Sequence, residues 1–175
     1  SSYGVDSFVN IALFYCAVMP SNATTSLIAL ARGVHPRETV SAGIMTRLLQ
    51  AHMCVVYLNA GIAKARGPQW WNGEAIWRSV IQPQFQTFDM TWLAQIPLLA
   101  AAWSIGTLIV EGGYAFFIWP RRTRGFWLVL TIGMHVGIAV VLGLRYFAWV
   151  LIVLNLAAFG REPTHALIRK VTSWL

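Results

Sequence analysis

Five apolar runs, separated by short breaks rich in basic residues, proline or glycine, take up most of this chain, and they decide the solvent in which it can fold. They cover residues 5–20, 42–63, 90–119, 126–144 and 146–159. Of the 175 residues 57% are hydrophobic and only 11% charged, where a soluble domain carries roughly a quarter of its residues charged. So few charges cannot solvate a globule of this size, so most of its surface faces lipid. The net charge of +7 would suit nucleic acid only if the bases formed a continuous stripe. They sit instead at the ends of the apolar runs, where they set membrane orientation, and no nucleic acid partner is expected.

The reading is an all-α fold, a polytopic integral membrane helical bundle of about five transmembrane helices with interfacial amphipathic helices. Residues 1–160 form the transmembrane domain, and 161–175 an amphipathic tail with Leu167, Ile168 and Val171 on one face and Arg169 and Lys170 on another. Between the second and third runs, Asn72-Gly73-Glu74 opens a segment with Ile76, Trp77, Val80 and Ile81 at helical spacing, read as a helix lying in the interface beside an aromatic belt. Counting Lys and Arg at the run ends puts Arg121, Arg122 and Arg124 in the cytoplasm and Lys64 at the outer interface. Cys16 and Cys54 lie within apolar runs, as small hydrophobes rather than disulfide partners. The chain opens Ser1-Ser2 without a basic leader, as expected of a processed chain or part of a longer one.

The second run is the polar one. Arg47, Gln50, Cys54, Tyr57, Gly61 and Lys64 fall on one stripe of its helix, spaced by threes and fours. Polar groups at membrane depth are costly, so this stripe faces protein or a wet cavity. Gly61 lets another helix or a ligand approach the backbone closely. Lys64 is either a lysine snorkelling from a helix end or an amine at the edge of low dielectric, able to act as a base. Glu111 shares a face of the third run with Ser104, Thr107 and Tyr114. Counting inward from the run ends gives it the depth of Arg47, so Arg47 and Glu111 are expected to form a buried ion pair, far from Lys64. The mid-run histidines His52 and His135 are read as hydrogen-bonding across helix interfaces rather than ligating haem. No spacing indicates a metal site, a phosphate loop or a serine nucleophile elbow.

The run Tyr57-Leu58-Asn59-Ala60-Gly61-Ile62-Ala63-Lys64, followed by Trp70-Trp71-Asn72-Gly73, resembles the membrane domain of the vitamin K-dependent γ-carboxylases and their bacterial relatives, the HTTM family. Glu111-Gly112, His135, Gly143, Phe147 and Pro163 continue the likeness in order, over residues 40–165. The resemblance implies that Lys64 is the base that deprotonates a quinol-like lipid, and that His135 lines the site. With the polar stripe it gives a cavity lined by Tyr57, Gln50, Gly61 and His135 and rimmed by Trp70 and Trp71, a quinone, quinol or other lipid as the bound molecule, and an inner-membrane location. The carboxylases have further helices before this region and a large extramembrane domain after it that binds the protein substrate, so glutamate carboxylation is not expected here. The rival reading is a non-catalytic subunit that packs against other chains of a larger membrane complex through its aromatic segment and tail.

Overall fold

The structure, a computed structural model, describes residues 5–18, 40–85 and 87–160. The amphipathic tail lies outside the described residues. All regular elements among the described residues are helical: α1 (Val5–Val18), α2 (Val40–Ala65), α3 (Pro68–Trp71), α4 (Glu74–Val80), a 3-10 turn (Thr91–Gln95), α5 (Pro97–Phe117), α6 (Arg121–Val141) and α7 (Arg145–Phe159).

Proline and glycine place the breaks. The third apolar run does not form one helix, because Pro97 drives Ile96 out of the helical region, to φ −128° and ψ 67°. Its missing N–H costs nothing at the first helical position, so α5 starts there. Before it, Asp89 Oδ1 accepts from the backbone N–H and the hydroxyl of Thr91, at 2.9 and 2.6 Å, and starts the 3-10 turn. Pro120 likewise precedes α6, and Gly143 at φ +68° turns the chain into α7. The segment opened by Asn72-Gly73-Glu74 is helical as its spacing predicts, with Glu74 and Arg78 paired one turn apart at 2.8 Å.

The helices bury several polar side chains within an apolar core and expose large apolar ones. Ser104, Thr107, Glu111, Thr131, His135 and Asn155 are buried, while Ile109, Phe126, Val129, Val136, Val140 and Val153 are exposed. Polar groups turned inward and large apolar side chains turned outward are what lipid as solvent demands. Two helices, α5 and α6, are long and apolar enough to cross a bilayer. The count of about five spans is therefore not established. The polar stripe of α2 lowers its hydropathy, and α1 and α7, with 14 and 15 residues, reach only about 21–23 Å of a hydrocarbon core of about 30 Å.

α2 runs antiparallel to α5, with Lys64 beside Glu111, Gly61 against Gly112, and Tyr57 stacked on Tyr114 at 4.1 Å between ring centroids. A Cβ on Gly61 would stand 2.9 Å from the backbone nitrogen of Gly112, so only glycine allows this approach. α6 packs back along α5 through Trp127, whose Nε1 donates to the Val110 carbonyl at 3.2 Å. α7 closes the bundle and carries α1, with Phe8 edge-on to Phe147 at 5.6 Å. Beyond Lys64 the chain turns at Gly67-Pro68, and α3 and α4 pack beside the first half of α5. There Gly73 at φ +85° lies so close to Ala101 that a Cβ would meet its backbone at 2.6 Å.

Candidate functional site

The inward face of α2 is the stripe read from its spacing, apart from the exposed Arg47. Gln50, Cys54, Tyr57 and Gly61 are buried along it and Lys64 half-buried. Nζ of Lys64 donates to Oε2 of Glu111 at 2.6 Å, with the two side chains 27% and 8% exposed. The indole of Trp70 lies beneath the ammonium, 5.5 Å from ring centroid to Nζ, a cation–π contact.

This pairing corrects the expected partner of Glu111. Arg47 is exposed and donates to Oε1 of Gln50 at 3.0 Å. It lies about 25 Å along α2 from Lys64 at 1.5 Å per residue. The depth count took α2 and α5 as full-length rods entering from opposite surfaces, and it included residues 90–96, which belong to the 3-10 turn and the break before α5. The Gly61–Gly112 contact sets the true register, and the end of α2 stops midway along α5.

A cavity of about 340 Å³ opens beside the pair. Lys64, Glu111, Tyr57 and His135 contribute polar groups to its lining, and Ile76, Trp103, Met134, Ile138, Phe147 and Leu151 belong to its largely apolar wall. The hydroxyls of Ser79 and Thr107, also in the wall, turn back onto the carbonyls of Ala75 and Trp103 one helical turn earlier. Over the cavity, Val80, Leu93 and Ala100 form a second small core that ties α4 and the 3-10 turn to α5.

Other residues assigned to the lining do different work. Gln50 Nε2 donates to the Ala158 carbonyl at 2.6 Å, satisfying a carbonyl at the end of α7. Gly61 faces α5 rather than open space. Trp71 is exposed, and its Nε1 caps the Ala65 carbonyl at the end of α2 at 2.8 Å. Of the two mid-run histidines, His52 meets the Tyr15 hydroxyl at 3.3 Å, and His135 meets that of Tyr57 at 2.6 Å.

Behind the cavity lies a hydrogen-bonded chain that the sequence reading did not assemble. The Tyr114 hydroxyl donates to Oδ1 of Asn155 at 2.7 Å. Nδ2 of Asn155 donates to the Tyr57 oxygen at 2.7 Å and to the Leu151 carbonyl at 2.8 Å, and the Tyr57 hydroxyl is paired with Nε2 of His135. Asn155 is the one strongly polar residue inside the last apolar run, and that isolation was the available signal. Among the described residues no cluster of three or more His, Cys, Asp or Glu side chains is arranged to hold a metal ion.

The model of the HTTM domain matches residues 7–161 of this sequence. The chain belongs to the HTTM family. The match covers every helix but the first two residues of α1, and every residue of the site. HTTM is a membrane domain, in keeping with two helices able to cross a bilayer and with the large apolar side chains the bundle exposes. Among curated proteins and among solved structures, no significant match is found.

Proposed function

We propose that this HTTM-family protein binds a quinol-like lipid in the cavity and removes a proton from its hydroxyl. The observation that carries the reading is a part-buried ion pair in the lining of an apolar, ring-sized cavity. Lys64 donates to Glu111 and, as an ammonium, has no lone pair with which to take a proton. The base is therefore the pair: a Glu111 oxygen accepts the hydroxyl proton, and the Lys64 cation stabilises the anion left behind. Deprotonation makes a hydroquinone reactive toward dioxygen; the monoanion gives up two electrons, leaving quinone and hydroperoxide, which takes up the proton held by Glu111. The indole of Trp70 packs against the ammonium, and the Gly67 N–H closes the end of α2 on the Lys64 carbonyl. Following the distribution of basic residues, we orient the protein in an inner membrane with Arg121, Arg122 and Arg124 toward the cytoplasm. The exposed apolar faces of α5 and α6 are what lipid covers on any spanning helix, so they lend the subunit reading no support of their own.

The test is oxygen-dependent oxidation of reduced 2-methyl-1,4-naphthoquinone by protein in liposomes. Wild type is expected to exceed empty liposomes, Glu111→Gln to lose about 100-fold as for removal of a general base, and Lys64→Arg, which keeps the cation, to retain most of the rate. A wild-type rate equal to that of empty liposomes would refute the reading. Full activity of Glu111→Gln beside an inactive Lys64→Arg would move the base to the lysine amine.

A further inference from the structure

The chain of hydrogen bonds behind the cavity has a direction, and the direction leaves one donor unused. The Leu151 carbonyl can only accept, so the Asn155 atom facing it is the amide nitrogen, and that nitrogen also faces Tyr57. The Tyr57 oxygen thus accepts from Asn155, and its own hydrogen has one place to go, Nε2 of His135 at 2.6 Å. The reverse arrangement would strand that hydroxyl hydrogen on a residue only 3% exposed. With Nε2 an acceptor, the neutral ring carries its hydrogen on Nδ1. Nδ1 of His135 is the one buried side-chain nitrogen or oxygen among the described residues without a hydrogen-bond partner. The ring that carries it borders the cavity and is 2% exposed. An N–H left unpaired at such a position is costly unless something in the cavity accepts from it.

We infer that Tyr57, backed by Asn155, holds His135 as the Nδ1–H tautomer, and that this N–H donates to an acceptor oxygen of the bound molecule. Resting on the reading of the cavity as a quinol-like site, the inference adds a second requirement. Besides the hydroxyl that gives its proton to the ion pair, the ligand carries another oxygen, carbonyl or phenolic, on the same apolar ring system. His135 is then a specificity-determining residue, and Tyr57 a positioning residue that acts through it.

Two measurements test this separately from turnover. In detergent-solubilised protein labelled with 15N-histidine, the signals that vanish in His135→Asn are expected to show the Nδ1–H pattern in wild type and a tautomer mixture in Tyr57→Phe. Dissociation constants are then compared for 1,4-naphthoquinone and for naphthalene, the same rings without oxygen. His135→Leu is expected to weaken naphthoquinone about tenfold, the effect of one lost hydrogen bond, and to leave naphthalene unchanged. His135→Asn, whose amide can donate from near the Nδ1 position, recovers most of the loss. An Nε2–H pattern in wild type, or equal losses for both ligands, would overturn the inference while leaving proton abstraction by the ion pair standing. If wild type binds neither ligand, the quinol reading itself falls and this inference with it.

Discussion

Lys64→Met is expected to destabilise the protein more than the double replacement Lys64→Met/Glu111→Leu. The single change strands a carboxylate whose side chain is 8% exposed, at a cost of about 3 kcal/mol, because an uncompensated buried charge costs more than the pair contributes. Glu111→Leu leaves an ammonium 27% exposed, which can swing toward water, so its cost is smaller, about 1–2 kcal/mol. The double variant removes both charges and is expected to lie close to wild type. Denaturant unfolding in one detergent across the four proteins gives the coupling, expected from these losses at about 4–5 kcal/mol. Additive losses would mean that the two side chains are not energetically paired. The same set separates stability from chemistry, since the double variant should be folded and inactive.

Asn155→Leu is the second large effect. It preserves volume on α7 but leaves the Tyr114 hydroxyl without an acceptor and the Tyr57 oxygen without its donor, both at buried side chains. Each stranded group costs roughly 1–2 kcal/mol, so a loss of about 3 kcal/mol is expected. Adding Tyr114→Phe to Asn155→Leu should restore part of the loss, because it removes a hydroxyl that has already lost its partner. If the double variant is less stable than Asn155→Leu by the full cost of Tyr114→Phe alone, the chain is not a connected network.

What could be read in the sequence follows the physics of each signal. Helical spacing is local, so the inward stripe of α2, including Tyr57 and Lys64, and the helix opened by Asn72-Gly73-Glu74 were legible. So was the use of Gly61 for close approach, although spacing could not say whether a helix or a ligand would fill the gap; the structure puts Gly112 there. The partner of Glu111 was not legible. Pairing across helices depends on register, and register depends on where Pro97 starts α5 and on how deep α2 reaches before Gly67-Pro68 turns it. An error of several residues in either moves a side chain by a full turn or more, about 5.4 Å per turn, so depths counted from the run ends do not fix which side chains meet across the two helices. The roles of Gln50 and Trp71 as caps for the Ala158 and Ala65 carbonyls were hidden for the same reason: a free carbonyl at a helix end belongs to the three-dimensional arrangement. Asn155 had a signal of its own, a lone amide in an apolar run, but its partners sit 41 and 98 residues away.

One chain is expected to hold a ring-bearing, oxygenated lipid against the Lys64–Glu111 pair. Native mass measurement on protein extracted from its own membrane in mild detergent tests it most directly. A single chain carrying an adduct of quinone size, lost in Lys64→Ala, is the result this account predicts. A stable assembly of several chains, free of any such adduct and indifferent to Lys64→Ala, would contradict it and make the protein a structural subunit.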